Sequence, residues 1–262
     1  MVYKETKIVA IIQARIGSKR LPRKILKKIG NRTIFEWIYY RLMFCNKLDQ
    51  IVLSTSDSIE NKVLIDIAQK HGLKHYAGSE IDLVDRMYKT AKKFNASAIV
   101  RITGDCPLVD PFIVDSLILK YLSKQPIDYA SNSFPPTFPD GMDVEIISFK
   151  TLERLFNEVK DPLYREWITI TIMKNPEKFK IFNMTQNTDM SNFRLTVDYS
   201  EDFELIKKII NSMHEEGNIF YLSDIIKFLK ENPELILINK NRVDSIVINN
   251  IRSKSFADAK NI

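Results

Sequence analysis

The chain is short of several features that would settle its class at once. It has two cysteines in 262 residues, Cys45 and Cys106, far apart and in no C-x-x-C pair. That argues against a disulfide framework or a thiolate zinc site. Its seven glycines include no G-x-G and no G-x-x-x-x-G-K-[ST], so neither a dinucleotide fingerprint nor a Walker A loop is present. Of three histidines, His71 and His75 are four apart. That spacing can place two ligands on one helix face, but Gly72 stops the helix between them. No apolar run reaches the ~18 residues of a membrane span, and no signal-type segment follows the charged MVYKETK start. There is no internal repeat and no low-complexity block. The expectation is a cytoplasmic protein with no membrane partner.

What is there fits an α/β domain. A hydrophobic content of 45% can build the core of one α/β domain, with room for a small appended lobe. Lys and Arg outnumber Asp and Glu 39 to 33, giving a net charge of +6. The cations are spread along the chain and are not interleaved with aromatics, so a nucleic-acid partner is not expected. An anionic small substrate and an ordinary solvated lysine surface both account for the excess.

The organising stretch is IVAIIQARIGSKRLPRKILKKI, from Ile8 to Ile29. Ile8–Ile12 is an unbroken apolar run bounded by Gln13, the pattern of a strand buried on both faces of a parallel sheet. Arg15, Lys19, Arg20, Arg23 and Lys24 then surround Gly17 and Ser18, five cations around one glycine. A flexible, basic, hydroxyl-bearing turn leaving a central strand can hold phosphates at the carboxyl end of the sheet. Gly17 permits close backbone approach, Ser18 and backbone amides donate, and the cations neutralise charge. By composition alone, a solvated basic loop is the alternative.

The remainder alternates strands and helices in the βαβ manner. Thr33 and Glu36 form a capping box ahead of a core helix carrying Trp37. A second buried strand covers 49–57, residues 58–71 form an amphipathic helix stopped by Gly72, and 74–77 read as a short strand. At the helix opened by 78–87, Asp85 and Arg86 carry two readings: a first-turn acid favoured by the helix dipole, or an ion pair shaping a pocket. A third buried strand, 98–103, ends at Gly104, and Asp105 stands at its carboxyl end before the proline-set turn of Cys106 and Pro107. Cys106 is read as packing, and Asp110 as the cap of the next helix. Residues 129–132 suggest a short strand. The loop Pro135–Asp140, closed by Gly141, is either a substrate loop or a rigid turn. Another strand is expected to run into Asp198, with Ser200 capping a helix and Glu201 and Asp202 as its first-turn acids. Residues 246–248 form a short apolar stretch, and 253–262 read as a frayed tail.

Ligands of open α/β sheets bind beyond the carboxyl ends of strands, where Asp105 projects. A carboxylate there suits Mg2+, which takes one or two carboxylates and completes its shell with water and phosphate oxygens. Asp198, from another strand end, is the expected second metal ligand.

Three motifs carry a resemblance. QARIGSKRLPRKIL resembles the pattern Q-A-R-x-G-S-x-R-L-P-x-K, matched at Gln13, Ala14, Arg15, Gly17, Ser18, Arg20, Leu21, Pro22 and Lys24. Arg101, Thr103, Gly104, Asp105, Cys106, Pro107, Leu108, Asp110 and Pro111 resemble R-x-T-G-D-C-P-L-x-D-P, and the stretch from Phe193 and Arg194 through Asp198 to Asp202 resembles L-R-x-T-V-D-x-x-E-D. The family is that of the CTP-dependent sugar nucleotidyltransferases, the spore coat polysaccharide biosynthesis protein F group with its relatives the CMP-Kdo and CMP-sialic acid synthetases. The likeness spans about residues 7–210.

The resemblance implies a single Rossmann-like, GT-A-type nucleotidyltransferase domain over 1–240, with a mostly parallel central sheet. It implies a small acceptor or dimerisation lobe at about 130–190 and a partly flexible extension at 241–262. It implies Mg2+ as cofactor, CTP and an anionic sugar or polyol-phosphate acceptor as substrates, and a homodimer. Arg15, Lys24 and Asp105 are the implied catalytic residues. Ala14, Gly17, Ser18, Arg20, Ser54 (beside the base), Asp85, Arg101, Thr103, Asp140, Arg165 and Glu166 are implied to bind substrate. Trp167 stands where the family's R-E-H-V-T segment has histidine, so any role of that histidine is in doubt here. A GT-A glycosyltransferase shares the sheet and a metal, but it usually carries Asp-x-Asp, and Asp105 is followed by Cys106 and Pro107. Another nucleotide with a sugar phosphate is a further alternative. A non-enzymatic scaffold is disfavoured because all three motifs are intact.

Overall fold

The structure, a computed structural model, describes residues 6–242. A seven-stranded sheet forms its middle layer, built from β1 (Ile8–Gln13), β4 (Gln50–Ser56), β5 (Lys74–Gly78), β6 (Ala98–Thr103), β7 (Tyr129–Ser131), β8 (Glu145–Ser148) and β9 (Ile181–Asn183). The order is β5-β4-β1-β6-β8-β7-β9, and only β8 runs antiparallel to its neighbours. A second, two-stranded ribbon pairs β2 (Lys28–Ile29) with β3 (Arg32–Thr33).

The apolar run of β1 has the expected cause. Ile8, Ala10 and Ile12 enter one core, with α1 (Ile34–Leu42), α2 (Lys62–Lys70), α4 (Pro111–Ser123), α8 (Ser200–Met213) and α9 (Leu222–Glu231). Val9 and Ile11 enter the other, beneath α3 (Leu83–Lys93), α5 (Phe149–Glu158) and α7 (Ile170–Lys174). A strand covered on both faces has no solvent side to keep polar. α6 (Pro162–Glu166) and α10 (Pro233–Ile236) are short connecting turns of helix. The punctuation also follows chemistry. Thr33 and Glu36 close a full capping box on α1, Asp110 accepts the Phe112 and Ile113 amides, and Gly72 leaves α2 at φ 67°.

Several expectations are corrected. Residues 193–198 form no ladder strand. Their contacts are one isolated bridge from Arg194 to Asp140 and backbone bonds from Leu195 to Asp140 and from Val197 to Asp105. Asp198 therefore ends an extended segment at the start of α8. Ser200 is the first helical residue and not its cap, because Asp202 reaches back to the Asp198 and Tyr199 amides. Asp85 and Arg86 are not an ion pair: Asp85 pairs with Lys89 one turn along, while Arg86 donates to the Ser79 and Glu80 carbonyls. Residues 246–248, 253–262 and most of the 241–262 extension lie outside the described residues. Residues 130–190 supply β8, β9, α5, α6 and α7 and most of β7 to the same layered body. Among the described residues, no helix is long and apolar enough to cross a membrane.

Candidate active site

The chain leaves β1 toward β4 on one side and returns through β6 on the other, so the sheet's topological switch point lies between β1 and β6. Ligands of open α/β sheets bind outside the carboxyl ends of the strands there. Two sequence motifs emerge at that point: the basic loop after Gln13 and the turn Gly104–Asp105.

The loop is held from outside itself. Asn61, fully buried, accepts the Ile16 amide on Oδ1 at 2.8 Å and donates through Nδ2 to Ser56 and Ser58 at 2.6 and 2.8 Å. The Ala14 amide donates to the Ser54 carbonyl. Ser18 folds back, its amide to the Ile16 carbonyl and its hydroxyl accepting from the Leu21 amide. Arg23 then sits at φ 55°, a left-handed conformation uncommon outside glycine and asparagine. The Lys24 amide returns to the Leu21 carbonyl, and this tight turn aims the Lys24 side chain inward.

Lys24 Nζ lies 3.1 Å from Asp105 and 2.8 Å from Asp198. Arg20 adds a contact to Asp198 at 2.6 Å and sits over the Tyr199 ring. Thr103 donates its hydroxyl to Asp105 at 2.5 Å. Burial works to raise the Asp105 pKa, but Lys24 and Thr103 outweigh it and hold the carboxyl well below its usual range. Burial likewise works to lower the Lys24 pKa, and the two carboxylates overcome it and keep the ammonium above its ordinary value. Both carry charge throughout the neutral range. Cys106, beside them, is different: burial and the neighbouring carboxylates push its thiol well above the ordinary cysteine value, so it is no nucleophile.

A second layer surrounds Asp198. Arg194 contacts Asp202 at 3.0 Å, Asp140 at 2.8 Å and Asp198 at 3.4 Å. Burial opposes its charge, but the three carboxylates raise its pKa well above the ordinary value. Toward β8, Arg101 donates to Gln13 at 2.7 Å and pairs with Glu145, which accepts from the Tyr129 phenol at 2.6 Å. Near the mouth, Arg86 is buried with its Nε unpartnered. Its pKa is lowered to about 10, first by burial and then by the positive charges of Arg15 and Arg101. Arg15 and Arg101 thus lie close enough to disfavour the Arg86 charge, while Glu80 and Asp57 favour it.

The structure thus brings together Arg20, Lys24, Thr103, Asp105, Asp140 and Asp198, with Gly17, Ser18, Arg15 and Arg101 around them. Glu166 is exposed at the rim, 4.0 Å from Arg15. Ser54 is corrected: its buried hydroxyl faces Thr90 of α3 at 3.0 Å, and only its carbonyl meets the loop. Asp85 is engaged by Lys89. Arg165 is occupied by Asp82 at 2.6 Å and by the Phe156 and Val159 carbonyls, which tie α6 to α3 and α5. Ala14 is buried and contributes backbone. Asn61, Glu145, Asp202 and Arg194 are site residues that the sequence motifs do not single out as such, and Arg86 enters there only as one reading's partner of Asp85. For Asn61 and Glu145 no local signal exists, because a buried polar residue takes its meaning from partners distant in sequence.

Among the described residues no group of three or more His, Cys, Asp or Glu could hold a metal ion. The donor set is the pair Asp105 and Asp198, and one cation, the Lys24 ammonium, already bridges them. A pair of carboxylates spaced to share a cation fits Mg2+, which needs no more than two from the protein.

Comparison with known proteins bears on this geometry. The model of a family described as Cytidylyltransferase matches residues 9–231. An uncharacterized protein of Methanocaldococcus jannaschii is 34% identical over 256 residues, covering 97% of this chain and 99% of its own. The spore coat polysaccharide biosynthesis protein SpsF of Bacillus subtilis is 29% identical over 234 residues, covering 87% and 95%. Among solved structures, a cytidylyltransferase from Leptospira borgpetersenii superposes with a TM-score of 0.85 at 37% identity, covering 91% of this chain and 99% of that one.

Proposed function

The chain belongs to the cytidylyltransferase family and is a CTP-dependent nucleotidyltransferase, and from that premise we propose that it transfers CMP from CTP to an anionic sugar or polyol acceptor. Pyrophosphate is released, and the product serves surface polysaccharide or glycoconjugate synthesis. The observation that carries this reading is the Lys24-bridged pair Asp105 and Asp198 at the switch point, facing the basic loop.

In the proposed reaction an acceptor oxygen attacks the α-phosphorus in line with the bond to the bridging oxygen of the β-phosphate. The new P–O bond forms as that bond breaks. Pyrophosphate leaves with the electron pair; an attacking hydroxyl passes its proton to water, and an attacking phosphate oxygen has none to lose. Such chemistry requires positioning and charge neutralisation more than a covalent nucleophile, consistent with the protonated Cys106. Arg15, Ser18, Arg20 and Lys24 hold the triphosphate, and the cations stabilise the charge that develops on pyrophosphate. Lys24 exchanges its carboxylate partners for phosphate oxygens when CTP enters. Asp105 and Asp198 would hold Mg2+. When bound, that ion polarises the α-phosphate and neutralises its charge.

The guanidinium groups of Arg15, Arg86 and Arg101 support an acceptor bearing a carboxylate or phosphate, since an anion beside them offsets the positive charges that Arg15 and Arg101 set against Arg86. A sugar acid, a sugar phosphate and a polyol phosphate all satisfy this chemistry. We assign the protein to the cytoplasm, where its free Cys45 and Cys106 thiols persist, and to a homodimer contacting through about 130–190. Light scattering at assay concentration tests the dimer, and a monomer overturns it.

The deciding experiment is pyrophosphate release with CTP, UTP, GTP and ATP in Mg2+, against sugar acids, sugar phosphates and polyol phosphates. Release with CTP and one acceptor is expected. Release with another nucleotide in preference to CTP would overturn the reading. So would failure of CTP to raise the melting temperature.

A further inference from the structure

Residues 232–242 lie past the end of the family match at residue 231, yet they return to the carboxylate side of the site. After α10 the chain brings Asn239 inside, 5% exposed. Its Nδ2 donates to the Asp202 carboxylate at 2.9 Å and to the Arg194 carbonyl at 3.0 Å. Asp202 is itself fully buried, and its other oxygen accepts the amides of Asp198 and Tyr199 at 3.0 and 2.9 Å. Arg194 holds the Asp198 carboxylate. One amide group therefore braces both supports of Asp198, the one on its backbone and the one on its side chain.

Anchoring the arm does not explain the polarity of this residue. Leu235, Ile236 and Ile238 already pack against the core from the same segment. An apolar residue at 239 would add to that contact without the desolvation cost of a buried amide. What an apolar residue lacks is the second donor to the Asp202 oxygen that Arg194 also holds, and the bond to the Arg194 carbonyl. At the arm's end Arg242 lies over the Tyr199 ring, 4.6 Å from its centroid, and pairs with Glu201. It thereby fastens the first turn of α8 behind Asp198.

We propose that residues 232–242 are part of the active site and that Asn239 is a positioning residue that fixes Asp198 for metal-assisted transfer. The proposal rests on the reading of Asp105 and Asp198 as the Mg2+ pair. Outer partners of ligating carboxylates typically change metal affinity by about 10–100-fold when removed. Asn239 acts one step further out, so the low end applies.

The test uses the full chain with Asn239→Leu, close in size and lacking the donor, and Asn239→Ala. Mn2+ binding is followed by electron paramagnetic resonance without acceptor, and pyrophosphate release is followed as a function of Mg2+. The expected result is about a tenfold weakening of Mn2+ binding and a matching rise in half-saturating Mg2+. The KM for CTP at saturating Mg2+ should stay nearly unchanged, and Asn239→Leu should melt near the parent temperature. Unchanged metal dependence in both variants, whatever their melting temperatures, would mean a purely structural residue and overturn the proposal. Asp105→Asn serves as the separate control. If it too leaves Mn2+ binding untouched, the metal pair itself is wrongly assigned and the proposal falls with it.

Discussion

The Lys24 ammonium lies 3.1 Å from the Asp105 carboxylate, an ion pair between residues 81 positions apart. It joins the basic loop to the turn after β6, two motifs that the sequence presents separately. With Asp198 2.8 Å from the same nitrogen, Lys24 is the cation both carboxylates share in a partly buried site, and Arg20 and Arg194 add further positive charge at Asp198. Lys24→Met should therefore act twice. It should lower the turnover of CTP by ~10²–10³-fold, the usual effect of losing one preorganised group at a developing charge. It should also lower the melting temperature in metal-free buffer, with millimolar Mg2+ restoring part of the loss. A Lys24→Met protein whose melting temperature ignores Mg2+ would speak against Asp105 and Asp198 as a cation site.

The same pair sets a pH prediction. In the folded protein Asp105 is held below its ordinary 3.8, and unfolding returns it there. Below that pH the unfolded chain binds more protons than the folded one, so stability falls with pH. The Asp105 contribution is fully present above about pH 4 and disappears as pH drops through the lower folded value. Lys24 has the opposite sign. Its folded pKa lies above 10.5, so its contribution is complete below that pH and is lost on going higher. Thermal melting should show no pH dependence from this pair between about pH 5 and 9, where both contributions are fully present. The acid-side decline should be shallower in Asp105→Asn than in the parent chain. Equal acid slopes in the two proteins would refute the assignment.

Much of this was legible in the sequence where the cause is local. The run Ile8–Ile12, the Thr33–Glu36 box, the Gly72 stop and the Asp110 cap depend on a few adjacent residues, and each stands where those residues put it. Asp105 was legible because a strand followed by Gly-Asp-x-Pro can project its aspartate in only one general direction. The Gly30–Asn31 turn between β2 and β3 carries a local hairpin signal as well. Ser54 misleads because the resemblance matches the segment without fixing the face of each residue, and the pleat turns its hydroxyl to Thr90. Arg194–Asp198 reads as a strand, but its hydrogen bonds go to a bridge at Asp140 and the Asp105 carbonyl, which no local pattern records.

Asn61 offers a test of how the loop is held. Its side-chain oxygen accepts from the Ile16 amide, from a fully buried position. Asn61→Ala leaves a buried donor unpaired, which costs about 1–3 kcal/mol. Urea denaturation should show that loss, and CTP should bind more weakly because the turn carrying Gly17 and Ser18 is no longer fixed. Full stability with normal CTP affinity would mean that the loop keeps its shape without this clamp.

Gly17 separates the needs of the fold from those of the ligand. Its φ is not left-handed, and a Cβ built there meets only the Glu80 and Glu60 carboxylates, at 3.7 and 3.9 Å, which is ordinary contact. Nothing in the protein alone demands glycine at this point. Gly→Ala at a compatible backbone position typically stabilises by about 0.4–1 kcal/mol, because the unfolded chain loses freedom. Gly17→Ala is thus expected to melt at or slightly above the parent temperature. If phosphates approach the loop backbone closely, the added methyl occupies their space, and CTP affinity should fall by an order of magnitude or more, read by calorimetric titration. Gly141 is the contrast: at φ 95°, with the Leu195 backbone 2.4 Å from a Cβ, its replacement by alanine should destabilise the fold itself. A Gly17→Ala protein with unchanged CTP affinity would move the triphosphate away from this loop and return its five cations to an ordinary solvated surface.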